Sequence, residues 1–226
     1  MDAKRIVVKV GSSTLTGDAG TSLNGSAVTK LVDVVANLKG QGKEVIIVTS
    51  AAIAAGMAPL GLTQRPTDLA TQQASASVGQ GLLIAKYSAE FTRHNIVASQ
   101  VLVTGDDLAR DLHKENAKRT LLRLLELGVV PIINENDSVG TEEIRLGDND
   151  RLAALVLELV GANLLVLVSD IDALYDAPPS QAGSNRIAKV TNFAEIKDIE
   201  IGGSGSSGVG SGGMVTKIQA AEIATA

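Results

Sequence analysis

Five short runs rich in β-branched residues, at 6–10, 45–48, 97–103, 129–133 and 164–168, recur between longer stretches of helical periodicity. That alternation constrains the fold more than any other feature, because strands separated by helices pair in parallel through crossover units. Over 24–38, apolar residues fall at Val28, Leu31, Val32, Val35 and Leu38, spacings of three and four that put them on one helix face. Further helices are expected at about 68–91, 115–127 and 149–160, with Asp68 and Asp148 as N-caps. Apart from Ala98, Ser99 and Gln100 in the third, the strand runs are carried mostly by Val, Ile and Leu, as strands covered on both faces are. The expectation is an α/β protein, a three-layer α/β/α sandwich around a mainly parallel central sheet, with residues 1–226 as one domain.

Composition narrows the chemistry. The absence of cysteine excludes a disulfide framework, a thiolate nucleophile and cysteine metal sites, and two histidines cannot fill a multi-histidine site. A reducing, cytoplasmic compartment is the natural expectation. A net charge of −5 with 2% aromatic residues supplies neither a basic field nor a stacking platform, which argues against a nucleic-acid partner. The first apolar run is short and broken by Lys9, too little for a signal-peptide core or a membrane span, so no membrane partner is expected.

Two stretches break the rhythm. Residues 136–148 are polar around Gly140, a pattern that suggests a hairpin projecting from a strand end. Residues 202–213 hold seven glycines, four serines and one valine, which composition alone would allow as a flexible linker. A helical pattern resumes at Met214, however, and a glycine loop opening a helix is how backbone N–H groups cradle phosphate. The Walker pattern is absent. Residues 203–208 satisfy G-x-G-x-x-G, but the 18 residues that follow cannot supply a second strand and a ribose-binding acid, so a dinucleotide fingerprint is rejected.

Polar groups gather where strands end, the edge at which open α/β sheets bind ligands. Lys9 closes the first strand run; its ammonium either snorkels to the rim or meets an anion that Gly11 lets approach. Past the second strand, Thr49 and Ser50 precede small residues to Gly56, which either leave room for a ligand or make a tight packing corner. Asn134, Glu135, Asn136 and Asp137 follow the fourth strand; Asp137 could hold a cationic group and the amides a carboxylate. Asp148, Asn149 and Asp150 open a helix, where capping explains one aspartate but does not require two with an asparagine. Ser169, Asp170 and Asp172 follow the fifth strand, but Leu174 and Tyr175 break the spacing of a calcium loop.

Taken together, Val-Lys-Val-Gly-Ser-Ser at 8–13, Thr-Ser-Ala-Ala-Ile-Ala-Ala-Gly at 49–56, Asn-Glu-Asn-Asp at 134–137, Gly-Asp-Asn-Asp-Arg-Leu at 147–152, Ser-Asp-Ile-Asp-Ala-Leu-Tyr-Asp at 169–176 and Gly-Ser-Gly-Gly-Met-Val-Thr-Lys at 210–217 resemble the amino acid kinase family. Within it they resemble the branch that phosphorylates glutamate, in order and over essentially the whole chain. The segments at 147–152 and 210–217 set that branch apart from acetylglutamate, aspartate, carbamate and uridylate kinases.

The resemblance implies transfer of the ATP γ-phosphoryl group to the side-chain carboxylate of L-glutamate, giving γ-glutamyl phosphate, the first step of proline synthesis. Mg2+ would bridge the phosphates, with no protein metal ligand assigned. Lys9 and Lys217 match residues that flank the travelling phosphoryl group, and Asp150 the acid that orients them. Ser50, Ala51, Asn134, Asp137 and Asn149 match the glutamate pocket. Lys9, Ser169, Asp170 and the loop Ser211, Gly212, Gly213, Met214, Val215, Thr216 and Lys217 match the nucleotide contacts. Ala51 and Ala173 depart from the pattern, standing where the family usually has glycine. The family's kinase domain normally continues through a further strand and helix, and many relatives append a small RNA-binding-type domain with no counterpart in this sequence. Feedback inhibition by proline and a homo-oligomer, dimer or tetramer, are further family expectations. Two alternatives stand beside this reading: another amino acid kinase, such as one acting on acetylglutamate, and a catalytically impaired amino-acid-binding or sensing protein of the same fold.

Overall fold

A computed structural model of the chain describes residues 3–17, 20–140, 149–177, 181, 183–196 and 213–226. Five parallel strands, β1 (Arg5–Val10), β2 (Glu44–Thr49), β3 (Ala98–Val103), β4 (Val130–Glu135) and β5 (Leu164–Val168), form one sheet in the order β3-β4-β2-β1-β5. Every turn from strand to helix at one edge of this sheet is therefore a strand carboxyl end, and the polar segments singled out in the sequence lie along it. The helices are α1 (Ser12–Leu15), α2 (Gly25–Gly40), α3 (Ala52–Met57), α4 (Leu69–Thr92), α5 (Gly105–Ala109), α6 (Asp111–Glu126), α7 (Asn149–Val160) and α8 (Met214–Thr225). A two-stranded antiparallel pair, β6 (Leu174–Tyr175) and β7 (Arg186–Ile187), follows β5.

The pleat divides the core into two. Ile6, Val8 and Val10 of β1, with Val45 and Ile47 of β2, pack against Val28, Val32 and Val35 of α2 and Leu83, Tyr87 and Phe91 of α4. Val7, Ile46, Val48 and Ile133 face the other way, onto Leu121 and Leu125 of α6 and Leu152, Val156 and Leu159 of α7. Burial on both faces is what the unbroken aliphatic strands require. The three-layer α/β/α sandwich expected from the sequence is the observed fold. Among the described residues, no helix is long and apolar enough to cross a membrane.

The long helices start where their caps are. Asn24 accepts a hydrogen bond from Ala27 N at 3.1 Å and Asp68 one from Thr71 N at 2.8 Å, each satisfying an orphan donor. Asp148, the third expected cap, lies outside the described residues, as does most of the 136–148 hairpin; the described part, 136–140, is a turn in which Gly140 N donates to the Asn136 carbonyl at 3.1 Å. The hairpin pairing that is described runs instead from Leu174 to Ile187. Helix α6 starts four residues before the expected 115.

Helix α3 decides between the two readings of residues 49–56 in favour of the tight packing corner. All six of its residues are buried, so no polar face betrays its period. It crosses α4 with the two backbones nearly touching. A Cβ on Gly79 would stand 1.9 Å from the Ala52 carbonyl oxygen, and one on Gly56 would stand 1.9 Å from that of Ser75. Only glycine permits this approach.

Candidate active site

Lys9 follows from the strand alternation. It shares with Val7 the face of β1 that looks toward α7, and its side chain is only 5% exposed. A buried ammonium needs an anion. The first turn of α7 supplies one: Asp150, wholly buried, places Oδ1 2.7 Å from Lys9 Nζ. Its other oxygen, Oδ2, accepts from Lys217 Nζ at 3.0 Å and from Thr216 Oγ1 at 3.0 Å, both on the first turn of α8. Residues separated by more than 200 positions thus meet on one carboxylate. The cluster of two cations and one anion keeps one net positive charge, and a Cβ on Gly11 would come 3.6 Å from the Lys9 nitrogen. Burial by itself would raise the Asp150 carboxyl, but the two ammonium groups outweigh it and hold Asp150 below the usual carboxylate range.

A second polar set adjoins this one. Asn149, the residue before Asp150, directs Nδ2 at the Thr49 carbonyl (2.5 Å), Asn134 Oδ1 (2.9 Å) and Ser50 Oγ (3.0 Å). Asn134 Oδ1 also accepts from Glu135 N at 2.9 Å, and Asn134 Nδ2 donates to Gln80 Oε1 at 2.9 Å. Below them Tyr87 and Thr49 hydroxyls lie 3.0 Å apart in the core; burial pushes the phenol above its ordinary pKa, the Thr49 bond opposing in part. Asp137 sits half-buried in the turn that follows β4.

Ala51 joins β2 to α3 with φ 79° and ψ 11°, the left-handed region that favours glycine. The sequence departure at this position is therefore a backbone departure as well. Ala173 is different, because it does not have a positive φ. Its methyl group imposes no comparable strain.

The nucleotide-side residues are placed less completely. Ser169 and Asp170 stand at the end of β5, beside β1 in the sheet through the Val10 and Val168 register. The Ser169 hydroxyl accepts from Ile171 N and donates to Asp170 Oδ1, both at 3.3 Å. Ser211 and Gly212 lie outside the described residues. Gly213 caps α8 in an extended conformation, Met214 and Val215 open the helix, and Thr216 and Lys217 reach Asp150 as above.

Sequence reasoning missed Gln80 and Tyr87. Both sit within the long α4 pattern, where Tyr87 reads as plain core and Gln80 as surface, and only the depth at which they are buried marks them out. It also missed α5, although Thr104 and Asp107 form a reciprocal capping box whose T-x-x-D spacing was available.

A parallel sheet with two lysines on one buried aspartate, next to a cluster of amides at its strand carboxyl ends, defines an α/β protein with its polar groups gathered on the edge where open α/β sheets bind ligands. The amino acid kinase family model matches residues 4–225, and the chain belongs to that family. It is 58% identical over 225 residues to a glutamate 5-kinase of Streptomyces coelicolor, covering 100% of this chain and 60% of the relative. It is 59% identical over 223 residues to a glutamate 5-kinase of Salinispora arenicola, covering 99% and 60% respectively. For one of Leifsonia xyli subsp. xyli the identity is 53% over 222 residues, covering 98% of this chain and 80% of the relative. The chain spans 60% of the length of the first two relatives.

Proposed function

We propose that this chain transfers the γ-phosphoryl group of ATP to the side-chain carboxylate of L-glutamate, forming γ-glutamyl phosphate, the first step of proline biosynthesis. One observation carries the reading: Asn149 and Asp150 are consecutive on the first turn of α7, one bonded into the amide pocket and the other gripping the two lysines. An amino acid held by the first set has a reactive group within reach of the second. The glutamate 5-kinase name of the three relatives fits that layout.

The chemistry asks little beyond placement and charge. A glutamate side chain, with a pKa near 4.3, is already ionised at neutral pH, so the nucleophile needs no general base. In-line transfer then depends on alignment and on cations that offset the charge spreading over the migrating phosphoryl group. Lys9 and Lys217 fill that role, and Asp150 holds both ammonium groups aimed while the phosphates are absent. Asn149 uses its Nδ2 on Thr49, Ser50 and Asn134, which leaves its Oδ1 as an acceptor for the substrate ammonium together with Asp137. Ser50 accepts from Asn149 and so keeps its own proton to donate to the substrate α-carboxylate. Ser169, Asp170 and the segment from Ser211 to Lys217 are assigned to the nucleotide.

Among the described residues, no three histidine or acidic side chains form a metal cage. Mg2+ suits such a site as a companion of the triphosphate, because it keeps phosphate oxygens and water as most of its ligands. Bound there, it neutralises part of the phosphate charge. A single kinase domain, a cytoplasmic location, a homo-oligomeric assembly and feedback inhibition by proline complete the proposal, each supported by the family resemblance.

The test is to incubate the protein with magnesium ATP and glutamate, then trap acyl phosphate with hydroxylamine. Hydroxamate from glutamate, but not from aspartate or acetylglutamate, is the expected result. Glutamate binding without hydroxamate would replace the kinase by the sensing protein, and product from acetylglutamate would replace the substrate.

A further inference from the structure

The amide chain of the pocket has a direction, and two backbone groups set it. The Thr49 carbonyl can only accept, so Asn149 must turn its Nδ2 there; the Glu135 N–H can only donate, so Asn134 must turn its Oδ1 there. With both amides so oriented, the Asn134 Nδ2 is left facing α4, where Gln80 Oε1 takes it at 2.9 Å. Gln80 is therefore the far anchor of a relay running from α4 through Asn134 and Asn149 to Ser50. Both Gln80 and Asn134 are buried, so an unmet Asn134 amide would have no ready substitute partner in water.

Gln80 does not stand alone on its helix. Gln73, Gln80 and Tyr87 recur every seven residues, two turns apart on one face of α4. Gln73 Nε2 donates to the Gly140 carbonyl at 3.0 Å, in the turn that carries Asp137; Tyr87 meets Thr49, the residue before Ser50. Each of the three polar side chains ends on a different segment around the amide cluster: the turn after β4, Asn134 of β4 and Thr49 of β2.

We propose that Gln80 is a positioning residue for the amino-acid substrate, acting through Asn134 to hold in place the Asn149 and Ser50 groups whose orientation the backbone sets. The identity of that substrate rests on the glutamate reading above; the relay does not. Gln80→Met keeps the length and apolar volume of the side chain but removes the acceptor. Loosening of the amides it anchors should raise the KM for glutamate about tenfold while the KM for ATP stays within about twofold, and the Asn134 amide left unmet in the free protein should lower the melting temperature by about 2–6 °C. With no substrate added, the side-chain NH2 resonances of Asn134 and Asn149 should both shift in 15N-labelled protein, which shows the relay directly. Should Gln80→Met not fold, Gln80→Asn draws the same amide back by one methylene and asks the same question. A shifted Asn149 resonance in a protein that makes no hydroxamate would retain the relay and reject the kinase. An Asn149 resonance that stays in place, or KM values for both substrates that rise together with lost stability, would reduce Gln80 to a core residue and overturn the proposal.

Discussion

Two glycines on α4, two residues apart, should respond in opposite directions to the same substitution. At Gly79 an added Cβ would lie 1.9 Å from the Ala52 carbonyl oxygen and 2.4 Å from Gly56 N, both backbone atoms that cannot rotate away. Ordinary contact between carbon and its neighbours begins near 3.5 Å, so α3 and α4 would have to part by roughly 1.5 Å. Overpacking of this kind typically costs about 1–3 kcal/mol, and a clash with two backbone atoms belongs at or beyond the top of that range. For a chain of this length each kcal/mol moves Tm by about 2–4 °C, which puts Gly79→Ala about 6–12 °C below the parent. At Gly81 an added Cβ meets nothing within 4 Å. Gly81→Ala should gain the helix propensity that glycine lacks, about 0.5–1 kcal/mol, and raise Tm by about 2 °C. Calorimetric melting of both variants makes the comparison, and glutamate kinetics extend it. Because α3 begins two residues after Ser50, parting the helices should also raise the KM for glutamate in Gly79→Ala and leave it unchanged in Gly81→Ala. Equal Tm shifts for the two variants would refute the close crossing.

Lys217→Ala removes one of the two cations on Asp150 and should lower turnover by about 10² or more, the scale of one lost transition-state donor; full turnover in a folded variant would take Lys217 out of the mechanism. Asp150→Asn should destabilise the fold by about 3 kcal/mol, since it removes the carboxylate that faces one buried and one partly buried ammonium group. The folded-state pKa of Asp150 is depressed, so its contribution is complete above the ordinary carboxylate range, about pH 4, and is lost as pH falls through the lower folded value. Urea midpoints between pH 6 and 3 should therefore drop less steeply at the acid end in Asp150→Asn than in the parent. At Ala51, glycine relieves about 1–2 kcal/mol of left-handed strain but forfeits a buried methyl worth about 0.8 kcal/mol and adds freedom to the unfolded chain, so Tm should move by no more than about 3 °C. Valine at the same place is β-branched and should lower Tm by more than about 5 °C; a neutral Ala51→Val would show that the backbone there is not held left-handed.

The sheet was legible because β1 to β4 each announce themselves twice, by their own run and by a helix period that follows, and β5 by its run and the helix period before it. The site was legible for a related reason. Lys9 is a charge in an otherwise apolar strand run, and burying an isolated charge is too costly for such a pattern to lack a partner; Asp150 stood out because capping does not require a second aspartate at the start of its helix. The sequence could not say which partner, because Lys9, Asp150 and Lys217 are joined only by the topology that sets α7 and α8 over β1. Helix α3 escaped notice because periodicity reports a boundary between core and water, and this helix has none. Gln80 escaped for the complementary reason. A glutamine on a long helix reads as surface, and nothing local reveals that the helix turns it inward to Asn134.

One consequence of α7 reaches beyond the contacts it makes. Since the pocket amide and the carboxylate between the lysines are neighbours on a single rod, any drift of that rod displaces acceptor and clamp by the same vector. Error in the spacing between the Asn149 amide and the Asp150 carboxylate is then common to both and cancels.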